Sequence, residues 1–248
     1  MTMKSSRVDE ACQALRRAII EQALPPGSKL PEDELCAHFK MSRTLVRATL
    51  ARLHAEGLVD APPRRTATTA KPTIQEAKEI FGVRKALERE VVRLAIENWR
   101  AEFGAELEGH IREEDAARKE SDARISIRLA GEFHSRLSGM AGNALLQRYL
   151  SEVVSRCSLI IALYGRPHSA ECAVNEHREI LAALRSKDSQ TACALMDQHL
   201  GAVEERALFN SDRSSPPELG DVLGRYARSS GAEPITKPPR KPPRRLAK

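Results

Sequence analysis

A chain of 248 residues with 41% hydrophobic but only 4% aromatic side chains can fill its cores mainly with Leu, Ile, Val and Ala, which favours helix and one large or two ordinary domains. No apolar run approaches the roughly 18 residues of a spanning helix, and the N-terminus has no signal-like apolar region, so a cytoplasmic protein with no membrane partner is expected. The formal charge of +6 is polarised: residues 237–248 contribute +6 without an acid, residues 1–71 carry 12 basic and 8 acidic side chains, and residues 72–236 are net −4, which suits a polyanion at one end only. The five cysteines, Cys12, Cys36, Cys157, Cys172 and Cys193, fall singly within helical patterns and are expected as reduced core residues.

Val8, Cys12, Leu15 and Ile19 recur at steps of four, three and four, one face of a helix that should end near Ala23 before Leu24-Pro25-Pro26-Gly27. A second helix is expected from Pro31, with Glu32, Asp33 and Glu34 complementing its dipole and Leu35 and Phe39 facing inward. Ser42 is placed to cap a third helix whose inward stripe is Val46, Leu50 and Leu53 and whose opposite face shows Arg43, Thr44, Arg47, Ala48 and Ala51. Gly57 should close it, and Leu58 to Lys71 predicts a two-stranded wing with Arg64 and Arg65 at its tip, Ala67 to Thr73 then serving as connector.

From Ile74 to Trp99 the stripe Ile80/Phe81, Arg84, Leu87, Val91, Leu94 and Ala95 predicts a long helix, followed by helices at about 101–120, 123–140, 143–164, 170–185 and 189–209. Breaks are expected at Gly139 to Gly142, Gly165-Arg166-Pro167 and Ser186-Lys187-Asp188. The fold class is therefore mainly α: a winged helix-turn-helix over 1–71, an all-α antiparallel bundle over 72–210, and a disordered basic, Pro-rich tail over 211–248 with one helical turn around Leu219 to Tyr226.

Arg43 and Arg47 lie one turn apart at the start of the third helix, with Thr44 between them and small alanines beyond. Such a face can enter the major groove, where Arg forks onto guanine or phosphate while Ser42, Thr44 and the helix dipole hold the backbone. The bland alternative, a solvated basic face, is disfavoured by the upstream helix, the tight turn, Gly57 and the basic wing. In the bundle His134, His177 and His199 replace apolar residues on three core-facing stripes. One buried histidine is ordinary packing, but three on separate helices each need a partner, and a divalent metal would serve all three. Arg84 and Arg156 also interrupt apolar stripes: each either pairs with an internal acid such as Glu88 or Glu176, or faces a pocket and binds an anionic effector.

Pro26-Gly27, Glu34-Leu35, Ser42 to Arg47 and Glu56 to Val59 resemble the DNA-binding domain of the GntR superfamily of bacterial transcription regulators. Three positions depart from that pattern: Leu45 stands where proline is usual, Asp33 where a phosphate-binding arginine is frequent, and Thr66 in place of the wing glycine. Gly131-Glu132-Phe133-His134, Glu176-His177 and Met196-Asp197-Gln198-His199 resemble the FCD ligand-binding domain of the FadR subgroup. The resemblance implies a metal held by an Asp four residues before the first His together with the three histidines. Here that Asp position is Ala130, so the resemblance implies a weakened three-His site for zinc or nickel, or a metal-free effector pocket lined by imidazoles.

The expected function is a homodimeric transcription regulator, a repressor, that binds a pseudo-palindromic duplex operator and responds to a small organic acid bound near the histidines. The alternatives are a metal-dependent hydrolase using the three-His site, and a non-specific nucleic-acid binder driven by the basic tail.

Overall fold

The computed structural model describes residues 6–164 and 170–208, with side chains at all of these except 170–172. Helix α1 (Arg7–Ile20) opens on a capping box: the Ser6 hydroxyl accepts from the Asp9 amide while the Asp9 carboxylate accepts from the Ser6 amide. It ends three residues before the expected Ala23, because Gln22 turns left-handed at φ +55°. A short strand β1 (Lys29–Leu30) follows. Helix α2 (Glu32–Phe39) takes Pro31 as its cap rather than its first residue, and left-handed Lys40 closes it. Helix α3 (Arg43–Ala55) is capped by Ser42, whose hydroxyl accepts from the Leu45 amide at 3.4 Å. The leucine at a position where proline was expected therefore has a use, since a proline there would have no N–H to give.

The wing is a three-stranded rather than a two-stranded sheet. Strands β2 (Val59–Asp60) and β3 (Ala67–Thr69) join β1 in the antiparallel order β1-β3-β2, with Lys29 opposite Thr68 and Val59 opposite Thr69. Residues 67–69, expected to begin the connector, are its central strand. The two strands within the predicted wing, β2 and β3, are present; the added strand is β1, whose two residues carry no readable alternation. At the wing tip Arg64 adopts the left-handed φ of +60°, two residues before Thr66.

The bundle follows: α4 (Ile74–Glu97), α5 (Ala101–Lys119), α6 (Ala123–Met140), α7 (Ala144–Tyr164), α8 (Ala170–Arg185) and α9 (Ser189–Leu208). These match the predicted helices within two residues. Its main core centres on Val91, Leu107, Phe133, Leu137, Leu150 and Leu184, all fully buried. The four cysteines with described side chains are free thiols. Among the described residues no helix is long and apolar enough to cross a membrane. The break at Gly165-Arg166-Pro167, the Leu219 to Tyr226 turn and the tail lie outside the described residues.

The N-terminal lobe rests on α6 and α7. Leu159 of α7 is buried in the lobe's own core with Leu53, Leu58 and Val46. Arg128 of α6 pairs with Glu21 at 2.6 Å, and the Gln22 amide donates to the Ala162 carbonyl. At Gly57, φ is +67° and an added Cβ would lie 2.6–2.9 Å from the Arg156 side chain. Gly57→Ala is thus expected to cost about 1–2 kcal/mol through backbone strain alone, with further loss from displacing Arg156. Gly82→Ala, in α4 with open space around it, should instead stabilise by about 0.5–1 kcal/mol. Urea unfolding of the two variants should show midpoints displaced in opposite directions.

Candidate DNA-reading face and histidine centre

Capping at Ser42 aims the first turn of α3 outward, and Arg43, Thr44 and Arg47 are all exposed on it. Both arginines are ion-paired. An Arg43 guanidinium nitrogen lies 2.8 Å from an Asp33 carboxylate oxygen, and Arg47 Nε lies 2.9 and 3.0 Å from the two oxygens of Glu32. Both arginine side chains remain 67% exposed, so these pairs are weak and exchangeable with other acceptors. Arg64 and Arg65 are exposed at the wing tip.

In the bundle, His134 (α6), His177 (α8) and His199 (α9) are buried together, with ligand atoms all within 4.8 Å of one another. Each Nδ1 meets a glutamate from a different helix. Glu88 of α4 lies 2.9 Å from His134, Glu114 of α5 lies 2.8 Å from His177, and Glu176 of α8 lies 2.5 Å from His199. A carboxylate acceptor places the proton on Nδ1 and leaves the Nε2 lone pair free. The Nε2 atoms of His134 and His199 then stand 3.2 Å apart, and that of His177 is buried without a partner. Three such lone pairs turned toward one another fit a cation between them.

Burial pushes the imidazoles of His134 and His199 well below the usual range, so both stay neutral; Arg84 adds to this at His134, while Glu176 opposes it at His199. Burial also raises the Glu88 carboxyl, against the pull of Arg84 at 3.0 Å. At Glu176 desolvation is outweighed by the His199 hydrogen bond and the Arg206 charge, and its carboxyl is lowered. Phe133 stacks on His177 with ring centres 3.9 Å apart and fixes its plane.

A pocket of about 60 Å³, space for a few water-sized groups, touches the cluster at Glu114, the carboxylate partner of His177; the three histidines do not line it. Its apolar wall includes Ala130, at the expected Asp position, with Ile161 and Val203, and its polar lining is Glu114, Arg118, Ser126 and Arg206. Glu114 Oε1 and Ser126 Oγ are buried there without hydrogen-bond partners. Arg84 and Arg156, considered as effector ligands, do not line it. Arg84 is buried in its ion pair with Glu88, and Arg156 reaches Glu76 and fills the space beneath Gly57. Arg84 thus met an internal acid, whereas Arg156 met Glu76, whose side chain is 40% exposed.

Sequence reasoning missed Arg118, Arg206 and the partner role of Glu114. It also missed a fourth buried histidine, His110, whose Nε2 lies 2.8 Å from the Leu129 carbonyl oxygen. The available signal was helical spacing: Leu107, His110, Glu114 and Ala117 form one buried face of α5.

Two family descriptions match the chain: bacterial regulatory proteins of the gntR family over residues 7–68, and the FCD domain over residues 79–202. The Bacillus subtilis HTH-type transcriptional regulator YdhC is 28% identical over 182 residues, 72% of this chain and 80% of that protein. The HTH-type transcriptional repressor RspR of Escherichia coli is 24% identical over 77% of this chain and 84% of its own. Among solved structures, E. coli McbR/YncC superposes with a TM-score of 0.69 at 22% identity, over 82% of this chain and 99% of that one. A GntR protein from Rhodococcus sp. RHA1 gives 0.70 at 23% identity, over 83% and 99%. The chain belongs to the gntR family of bacterial regulatory proteins and carries an FCD domain behind its winged helix-turn-helix.

Proposed function

We propose that the protein is a homodimeric repressor that reads a pseudo-palindromic operator and releases or tightens on it when a small organic acid binds in the bundle. Residues 1–71 form the DNA-binding domain, 72–210 the effector and dimerisation domain, and 211–248 a basic tail. The observation that carries this reading is the exposed Arg43-Thr44-Arg47 face on a capped third helix, flanked by a wing with arginines at its tip. Arg43 and Arg47 would fork onto guanine edges, Ser42 and Thr44 would hold the backbone, and Arg64 and Arg65 would meet the adjacent phosphates.

The three histidine Nε2 atoms fit a divalent ion such as zinc or nickel, held by His134, His177 and His199. When bound, such an ion supplies a Lewis-acidic anchor for an effector carboxylate. The protein's own groups complete the site. Arg118 and Arg206 balance the acid's charge, the unpartnered Ser126 hydroxyl donates to its polar end, Glu114 Oε1, 3.3 Å from His110 Nε2, accepts from any hydroxyl it carries, and the alkyl wall at Ala130 and Val203 receives a short carbon chain. Because α6 and α7 wall this pocket and also carry the N-terminal lobe, an effector that prefers one helix placement shifts the lobe, by the usual 1–3 kcal/mol or so of coupling.

Arg47→Ala should weaken binding to the operator beside the protein's own gene by roughly 10- to 100-fold while gel filtration shows an unchanged assembly. Equal affinity of the wild type for unrelated duplexes would overturn sequence-specific reading. Asp33→Asn frees Arg43 and removes a negative charge from the DNA face, so affinity for unrelated duplex should rise and the log–log salt slope should steepen by about one unit. Protein purified without a metal-affinity tag should contain about one zinc or nickel per chain by elemental analysis, and His177→Ala should lose it. A metal-free wild type that still responds fully to an organic acid would remove the ion from the mechanism.

A further inference from the structure

A second cavity, about 720 Å³ and separate from the histidine pocket, lies between the N-terminal lobe and the bundle, walled by α1, α3, α6 and α7. Its α7 wall is a single helical face: Arg148, Ser151, Ser155 and Ser158 follow at steps of three, four and three. A serine inside a helix commonly returns its hydroxyl to the carbonyl four residues earlier, as Ser135 does at the cavity floor. Ser151, Ser155 and Ser158 make no hydrogen bond to other described residues, although Ser155 is 9% and Ser158 only 4% exposed. Space for the Ser158 hydroxyl is kept by Gly131 of α6, where a Cβ would lie 2.5 Å from that oxygen.

The charge of the lining is unbalanced. Five arginines face three glutamates, Glu56, Glu132 and Glu152. Glu56 binds Arg16 bidentately and also approaches Arg52, and Arg128 is held between Glu21 and Glu132. Arg17 on the α1 wall and Arg148 on the α7 wall have no carboxylate within 4.0 Å among the described residues; Glu152, one turn along α7 from Arg148, likewise makes no ion pair. Two guanidinium groups contributed by opposite walls, beside a row of unused hydroxyls, select a ligand with an anionic group at one end and hydroxyls along its body.

We propose that this cavity is a second ligand site, for a small polyhydroxylated phosphate of the sugar-phosphate class. The phosphate bridges Arg17 and Arg148, and the sugar hydroxyls meet Ser151, Ser155 and Ser158. The ligand cross-braces the lobe to the bundle and holds one placement of the DNA-binding helices, independently of whatever occupies the histidine pocket.

Isothermal titration of the full chain with glucose 6-phosphate, glucose and inorganic phosphate tests this. Glucose 6-phosphate should bind with a dissociation constant below about 1 mM, and glucose and phosphate at least about ten-fold more weakly. Arg17→Ala and Arg148→Ala should each weaken glucose 6-phosphate about ten-fold or more. Both residues are exposed and make no ion pair, so the fold should tolerate the loss. Ser155→Ala with Ser158→Ala should weaken glucose 6-phosphate but not phosphate, and His177→Ala should leave all three unchanged. Three results would each overturn the proposal: no heat from any probe at about 10 mM, binding that survives both arginine changes, or phosphate binding as tightly as glucose 6-phosphate with the serine changes silent. Loss of glucose 6-phosphate binding in His177→Ala would move it to the histidine pocket and also overturn the second site.

Discussion

Burying three imidazoles in one apolar bundle is the constraint on which the rest of the architecture turns. Each ring would cost several kcal/mol as an unpartnered polar group, and each is offset by a carboxylate that must itself be desolvated. Those carboxylates come from α4, α5 and α8 and meet histidines on α6, α8 and α9, so the polar centre fixes the rotation and register of helices that leucines alone would leave free to slide. Arg84 closes the network behind Glu88 inside the bundle, while Arg206 beside Glu176 carries it outward to solvent.

The candidate DNA-reading face works on the opposite energetic scale. Its ion pairs are solvated, and exposed pairs of this kind contribute about 0–1 kcal/mol each. Glu32 and Asp33 can therefore hold Arg47 and Arg43 in place without fixing them irreversibly, and a better acceptor can replace either acid. Two of the three departures from the family pattern have local consequences: Leu45 completes the Ser42 cap, and Asp33 engages Arg43.

Helices were legible because long stripes such as Phe81, Val91 and Ala95 repeat at helical spacing, and all six bundle helices were placed within two residues. The buried histidine triad was legible for the same reason, each ring standing on an apolar stripe. What stayed hidden depends on contacts between segments far apart in sequence. Strand β1, two residues long, pairs with β3 almost forty residues on, and pairing at such a distance leaves no local pattern, whereas β2 and β3 pair across about ten residues within the predicted wing. The partner of His177 lies 63 residues away at Glu114, and Arg206, at the far end of α9, reads as an ordinary surface charge until the bundle closes around it. Arg84 could be read from sequence either as ion-paired or as ligand-facing, and only the position of Glu88 one turn on decides between the two.

Helix α7 belongs to two bodies at once. Leu159 completes the core of the N-terminal lobe, while Ile160 packs among Ala77, Phe81 and Ala207 and Ile161 walls the histidine pocket. A lobe transplanted from a relative would arrive without its Leu159 counterpart, leaving a hole in its own core and a mismatched surface beneath Gly57. Chimeras of this family are thus better cut so that the matching face of α7 travels with the DNA-binding lobe, because the boundary in sequence is not the boundary in packing.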